Sequence, residues 1–197
     1  MIERDFVNID NFLSEGIVKW SSPSNIALVK YWGKKNNQIP QNPSISFTLS
    51  KTLTSTSIEF KPKKNKANSI DFEFDGIKDH EFGKKIKLFI RSTEKYFNFL
   101  KNHDINIKSE NNFPHSSGIA SSASSMSALA SCLVDIEKIN SNEKDDSYYL
   151  KKKSFIARLG SGSASRSIEG PITLWGESKS FPGSSDLYAI NISQDVN

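Results

Sequence analysis

Three stretches of the 197-residue sequence concentrate side chains able to hold an anion. The first runs from Pro114 to Ser125, within NNFPHSSGIASSAS, where glycine and serine lead straight into a helical pattern. A flexible linker would not do this: Ile119, Ala123, Met126, Ala130 and Leu133 recur on one helical face. A helix amino terminus presents unpaired N–H groups and a partial positive charge, which suits phosphate. Gly118 lets the backbone approach an anion closely, and the Ser121 and Ser122 hydroxyls can donate to it. The pattern is neither a P-loop nor a dinucleotide fingerprint, because the glycine spacing and the Gly-Lys-Ser/Thr ending are missing.

The second stretch is SSPSNIALVKYWGKK at 21–35. Alternation predicts a strand that carries Lys30 among apolar neighbours, where an unpaired ammonium is costly. Alone, Lys30 reads as a strand-edge lysine with a solvated head. Together with Tyr31, Lys34 and Lys35 around Gly33 it forms a cluster of donors suited to an anion. The third stretch is GSGSASRS at 160–167, whose small residues permit close packing around Arg166. A guanidinium fork matches a carboxylate or phosphate with two parallel hydrogen bonds. By itself, this segment is equally consistent with a helix cap beside a surface arginine.

The elements that must position these residues form a mixed α+β pattern. Strands are predicted at 16–20 and 25–32, broken by Ser21, Ser22 and Pro23, and again where Ile45, Phe47 and Leu49 alternate with polar neighbours. Two more follow at 54–60 and 69–74, separated by the lysine-rich loop KPKKNKAN, with Asp75-Gly76 as a turn. Phe82, Ile86, Phe89, Thr93, Phe97 and Leu100 predict an amphipathic helix over 81–101. A strand at 104–109, the helix after the glycine-serine loop, a helix at 145–159 ended by Gly160 and a strand at 172–175 complete the pattern. No internal repeat is evident.

Composition narrows the function. Apolar residues make up 36% of the chain and 13 phenylalanines supply core volume, enough for one good domain. The net charge of +4 comes from scattered lysines such as Lys63, Lys64 and Lys66, a solvated loop and not a basic face, so nucleic acid is not expected. The charge suits a small anionic substrate. The single cysteine, Cys132, excludes an internal disulfide framework, reads as a small core residue and fits a reducing cytoplasm. The start MIERDF has no apolar run of signal-peptide length and nothing later approaches a membrane span, so a cytoplasmic protein is expected. His80, His103 and His115 lack metal-ligand spacing, and no zinc site is read.

PHSSGIASSA resembles the phosphate loop of the GHMP kinase superfamily. SPSNIALVKYWGKK, NNFPHSSGIASSAS and GSGSASRSIEG are each similar to signatures of one family within it, the diphosphomevalonate decarboxylases, in that family's order and across about residues 17–176. The resemblance implies a two-layer GHMP amino-terminal domain like ribosomal protein S5 domain 2, occupying 16–197 after an extension at 1–15. It implies ATP and Mg2+ as cofactors, and an activity in which ATP phosphorylates the 3-hydroxyl of (R)-5-diphosphomevalonate before phosphate and carbon dioxide leave, giving isopentenyl diphosphate. Carried over residue by residue, Pro114, Ser117, Gly118, Ala120, Ser121 and Ser122 bind ATP, with Ser122 placed to reach the metal indirectly. Lys30 faces the reacting hydroxyl, and Tyr31 and Lys34 hold the substrate diphosphate. Ser161 and Ser163 bond substrate and phosphates, Arg166 clamps the carboxylate, and Asn25 lies beside the pocket and orients Lys30. Lys30, Ser163 and Arg166 form the catalytic set, and a homodimer is a compatible assembly.

The sequence departs from this family in one large respect. The family's catalytic aspartate belongs to an Asp-Ala-Gly-Pro-Asn stretch of a carboxy-terminal half that these residues do not include. Asp135, Asp145, Asp146 and Glu169 are not in that motif and are assigned no catalytic role. The expectation is therefore a catalytic half with apolar surface exposed on one wall of its cleft, prone to association. Two alternatives stand beside it: a related GHMP small-molecule kinase, such as a mevalonate 3-kinase or phosphomevalonate decarboxylase, and a non-catalytic half that needs a partner chain. His115 replaces a threonine common in the family and Ser125 a glycine.

Overall fold

The computed structural model describes residues 1–65, 67–78, 80–114, 121–141 and 144–195. Strand β1 (Gly16–Val29) runs antiparallel to β2 (Ser44–Pro62), from Gly16 opposite Phe60 to Val29 opposite Ile45. The sequence reading divides each of these into two strands, whereas each is continuous. The break expected at Ser21–Pro23 is a register shift: Pro23 faces Leu53 and Ser24 faces Leu49. Among the described residues β1 pairs with β2 alone, and at an edge strand the missing N–H of Pro23 disrupts no second ladder.

The other edge of β2 serves two strands. Residues 54–62 pair with β4 (His103–Asn111), and residues 44–47 pair with β5 (Ile172–Trp175). Strand β3 (Ile70–Phe74) runs parallel to β4, and β6 (Ala189–Asn191) flanks β5. Among the described residues this makes one six-stranded sheet, with β3-β4-β2-β5-β6 in order and β1 on the far side of β2. Alternation decides which face is covered. Val18, Thr54, Thr56, Ile58, Phe60, Ile105 and Ile107 are buried, while Lys19, Ser21, Lys108 and Glu110 between them reach solvent.

Helices cover the buried face. Helix α1 (His80–Thr93) links parallel β3 to β4 and ends earlier than its apolar pattern predicts. Beyond Thr93 the chain turns and enters a 3-10 helix at Asn98–Asn102, which still buries Phe97, Phe99 and Leu100. The spacing of three between Phe97 and Leu100 suits a 3-10 turn as well as an α-helix, so periodicity alone could not separate them.

Helix α2 (Ser121–Ser141) is buried continuously from Ala123 to Val134, not on the single face that Ala123, Met126, Ala130 and Leu133 suggest. It lies against β1 and β2 on one side and against helix α3 (Asp146–Gly160) on the other. Small side chains allow the first contact. Ser124 Oγ is 2.6 Å from Thr54 Oγ1, Ser127 Oγ is 3.0 Å from Ser22 Oγ, and Cys132 Sγ donates to the Thr56 carbonyl. Burial pushes the Cys132 thiol up to about 12, which keeps it protonated. Ion pairs bind α2 to α3: Glu137 to Lys152 at 2.5 Å, buried, and Asp135 to Lys153 at 2.7 Å, partly exposed. Asp145 caps α3 by accepting from the Tyr148 N–H at 2.7 Å.

The first residues dock onto this layer. Phe6 is 0% exposed and stacks on Phe155 of α3 at 4.4 Å, and Glu3 pairs with Lys95 at 2.8 Å. On the solvent side, Ile26, Leu28, Trp32 and Phe47 are exposed, and Ile26 stands opposite Phe47 across the β1–β2 ladder. Among the described residues no helix is long and apolar enough to cross a membrane. Phe6→Ala should lower unfolding stability by about 3–5 kcal/mol, because an enclosed ring leaves a cavity. Urea denaturation checks this, and a loss below about 1 kcal/mol would show that the docked segment is dispensable.

Candidate functional site

After α3 the chain folds into a 3-10 helix at Gly162–Ser167, and its geometry fixes the site. Gly162 is required there: a Cβ would stand 2.8 Å from the Trp175 ring and 3.3 Å from Lys34 Cε. The turn is tied down on every side. Ser165 Oγ donates to the Gly162 carbonyl at 2.8 Å, and Ser154 Oγ of α3 donates to the Ser165 carbonyl at 2.8 Å. Asn25, buried on β1, donates to the Ser163 carbonyl at 3.0 Å and to Ser167 Oγ at 2.7 Å. Ser127 of α2 donates to the Ser167 carbonyl at 2.9 Å.

This scaffold carries Arg166 inward until it is 2% exposed. Its Nη1 donates to Ser44 Oγ, and Ser44 in turn donates to the Val29 carbonyl at 2.5 Å. Its Nε is buried without a partner, and among the described residues it has no ion-pair partner. The guanidinium lies 5.6 Å from the Tyr31 ring and 5.9 Å from the Trp175 ring, which meet edge to face at 5.0 Å. Burial pushes its pKa down to about 10, so it stays cationic at neutral pH. A desolvated cation held against aromatic faces, with a free Nε–H, can accept an anion as its partner.

Tyr31, Lys34, Gly162, Arg166 and Trp175 thus come together from three separate parts of the chain. Lys34 Nζ is 5.4 Å from the Tyr31 ring, and Ser161 Oγ is 3.2 Å from Ser163 Oγ. Lys30 corrects an expectation: β1 ends at Val29, so Lys30 lies just beyond the strand and is exposed, not set among apolar strand neighbours. Its carbonyl accepts from Asn42 Nδ2 at 3.1 Å. The bonds from the Asn25 amide go to Ser163 and Ser167, which makes it a brace of the turn; no bond to Lys30 is present among the described residues.

Of the anion loop, Pro114 and Ser121–Ser122 are described, whereas His115, Ser117, Gly118 and Ala120 lie outside the described residues. Ser121 is half-buried and Ser122 exposed in the first turn of α2, a turn without an acidic residue. A phosphate there meets no opposing carboxylate from the helix. A cavity of about 430 Å³ opens on the uncovered sheet face among Lys19, Ser21, Ser57, Lys108, Glu110 and Gly76, and β4 leads from it to Pro114. The carboxylates weighed in the sequence are engaged elsewhere or set apart: Asp135 with Lys153, Asp146 with Lys138, and Asp145 as a cap. Glu169 is partly buried, and burial raises its pKa.

Sequence reasoning missed Ser44, Trp175, Ser127 and Ser167. Ser44 and Trp175 pair with each other across β2 and β5 from 131 positions apart, so no local pattern marks them.

Comparison with known proteins gives a consistent picture. The pattern of one family, the diphosphomevalonate decarboxylase-like N-terminal domain, matches residues 22–189. The chain is 34% identical over 184 residues to the diphosphomevalonate decarboxylase of Ganoderma lucidum, covering 87% of this chain and 44% of that protein. It is similar to the crystal structure of mevalonate diphosphate decarboxylase from Staphylococcus aureus, with a TM-score of 0.73, 33% identity, and coverage of 90% of this chain and 50% of that one. A solved structure of MDDEF in complex with MVAPP, AMPPCP and magnesium superposes with a TM-score of 0.72 at 32% identity, over 92% of this chain and 52% of that one. The chain spans about half the length of these relatives.

Asn25→Ala should destabilise the chain by about 1–3 kcal/mol, since it leaves the Ser163 carbonyl and the Ser167 hydroxyl without their donor. Thermal melting would reveal this, and an unchanged midpoint would mean that the turn is held by its other bonds alone.

Proposed function

This chain belongs to the family of diphosphomevalonate decarboxylase-like N-terminal domains, and from that membership we propose that it supplies the ATP- and substrate-binding half of an enzyme converting (R)-5-diphosphomevalonate to isopentenyl diphosphate. The observation that carries the reading is Arg166: a buried guanidinium with a free Nε–H and no carboxylate partner among the described residues. The substrate carboxylate completes it. Residues 16–197 form the catalytic domain and 1–15 an extension that packs upon it.

The residues fit the ligands by their chemistry. Tyr31 and Lys34 lie beside Arg166 and receive the diphosphate, while Lys30, exposed at the end of β1, faces the 3-hydroxyl. Ser161 and Ser163 present paired hydroxyls to the same space. The first turn of α2, with Ser121 and Ser122, takes the ATP phosphates, and the cavity on the open sheet face takes the nucleoside. Among the described residues no cluster of acidic, histidine or cysteine side chains could hold a metal alone, so Mg2+ would be held largely by phosphate oxygens with Ser122 as an indirect contact. Mg-ATP supplies the phosphoryl group that turns the 3-hydroxyl into a leaving group. The relative solved with AMPPCP and magnesium supports this pairing.

Arg166 then fixes the carboxylate in a poorly hydrated setting. As the C–C bond breaks, its electron pair forms the double bond while the 3-phosphate departs, and the carboxylate becomes neutral carbon dioxide. A site with little water favours that loss of charge. Lys30 and the α2 terminus offset the charge that gathers on phosphate.

The kinase and monophosphate-decarboxylase alternatives would need different chemistry where Lys30, Tyr31 and Lys34 gather. The partner-dependent reading has firmer support. The described carboxylates Asp135, Asp145 and Asp146 serve ion pairs or a cap. Ile26, Leu28, Trp32 and Phe47 offer a surface for a second copy or a partner polypeptide. A reducing cytoplasm suits the single buried thiol.

The test is release of phosphate and carbon dioxide from 5-diphosphomevalonate and Mg-ATP. Activity of this chain alone would show that it carries the whole machinery. Binding of both ligands without release would mark it as the binding half, and binding of neither would refute the reading. Arg166→Lys should weaken diphosphomevalonate binding by about tenfold or more while leaving AMPPCP affinity intact, because a lysine cannot reproduce the fork. Equal losses for both ligands, measured by calorimetry, would remove Arg166 from the carboxylate.

A further inference from the structure

A second arginine, Arg158, is as deeply buried as Arg166 and has no place in the chemistry above. It is 0% exposed, near the end of α3, and among the described residues it forms no ion pair. Its Nε donates to the Leu187 carbonyl at 2.8 Å and its Nη1 to the Asn37 carbonyl, while Nη2 is buried without a partner among the described residues. Burial pushes its pKa down to about 10.

The Asn37 end of that contact lies in an unusual piece of backbone. Residues 33–41 form a closed hairpin: Gln41 N–H donates to the Gly33 carbonyl at 3.1 Å, Lys34 bridges Pro40, and Lys35 N–H donates to the Ile39 carbonyl at 2.8 Å. At its tip Ile39 N–H donates to the Asn36 carbonyl, and both central residues, Asn37 and Gln38, have positive φ, 57° and 59°. Positive φ at both positions is the signature of a type I′ turn, which favours Asn-Gly. Asparagine tolerates that region, but glutamine has no such preference, and Gln38 Oε1 is itself buried without a partner. The hairpin therefore holds a tip its own sequence does not favour, and Arg158 grips the carbonyl at that tip.

We propose that Arg158 is a positioning residue of the site: by pinning the left-handed tip at Asn37–Gln38 it holds the hairpin that lays Lys34 across Gly162. The inference rests on the reading that Lys34 receives the substrate diphosphate. Helix α3 thus ends between two arginines with opposite duties. Arg158 grips the hairpin and Leu187 from within, and Arg166, eight positions on, faces the substrate.

The test measures binding of 5-diphosphomevalonate and of AMPPCP to the chain by calorimetry, with folding checked by circular dichroism. Lys34→Ala comes first: unchanged diphosphomevalonate affinity would overturn the reading of Lys34 and this inference with it. Arg158→Lys should weaken diphosphomevalonate binding by about tenfold and leave AMPPCP unchanged, because lysine cannot reach two carbonyls with one rigid fork. Adding Gln38→Gly to Arg158→Lys should recover most of that loss, since Asn-Gly adopts the turn unaided. A purely structural role for Arg158 would lower both affinities and show no such rescue. Should Arg158→Lys fail to fold, Gln38→Val probes the same device with Arg158 intact, as a β-branched residue resists positive φ. It should weaken diphosphomevalonate binding selectively and speed amide exchange at Lys35 and Ile39. Loss of diphosphomevalonate affinity in Lys34→Ala but in neither Arg158→Lys nor Gln38→Val would overturn the proposal.

Discussion

The close approach of α2 to the β1–β2 ladder is the constraint on which the rest of the structure depends. Leucines along the inner face of this helix would hold it at an ordinary helix–sheet distance. Serine, alanine and cysteine bring it near enough for hydroxyls to bond across the seam, Ser124 to Thr54 and Ser127 to Ser22. The same Ser127 reaches the Ser167 carbonyl, so one side chain joins sheet, helix and the arginine-bearing turn. Moving α2 outward by the width of a methyl group would part all three. The polar seam also suits a helix buried almost all round with few large side chains in its first turns: Ser124 and Ser127 reach the sheet, while Ser125 donates to the Ser121 carbonyl of its own helix.

Around that seam the site is a meeting of loops with no regular element at its centre. Tyr31 and Lys34 come from the hairpin after β1, Arg166 from the turn after α3, and Trp175 from the end of β5. Each loop is held by bonds within the protein: Asn25 and Ser127 brace the arginine turn, Ser44 links Arg166 to the end of β1, and Arg158 grips the lysine hairpin. Two buried guanidiniums, without carboxylate partners among the described residues, sit within one small domain. Binding energy from a substrate can offset that cost for Arg166, whereas backbone carbonyls must do so for Arg158.

How much of this was legible in the sequence depended on the range of each interaction. The short strands ending near Phe74 and Trp175 and helix α3 with its Asp145 start announced themselves, because alternation, turn residues and caps act within a few positions. The three motifs read as anion sites stood out for the same reason, as their candidate chemistry is packed into short runs. The break in β1 was overread because Ser21, Ser22 and Pro23 look like a turn locally, and β2 was split where its alternation lapses after Leu49, yet the long β1–β2 ladder carries both strands through as a register shift. Helix α1 was overrun because Phe97 and Leu100 keep a helical spacing after the helix has stopped. The roles of Ser44, Trp175 and Arg158 were invisible, since each is defined by a partner more than a hundred residues distant or, for Arg158, by a turn conformation no composition encodes.

The double use of one edge of β2 has a consequence for how the chain assembles. Its far portion meets β4, with Thr54 facing Asn111, while its near portion waits for β5, with Ser44 facing Trp175. Loop closure over the second span is the costlier in entropy, and such non-local pairings set the pace of folding. During synthesis from the amino terminus, the β1–β2–β4 platform and α2 can form while residues 160–175 are still unmade. Arg166 lies against Ser44 and Trp175, the two residues this pairing joins, so its enclosure depends on the most non-local ladder of β2.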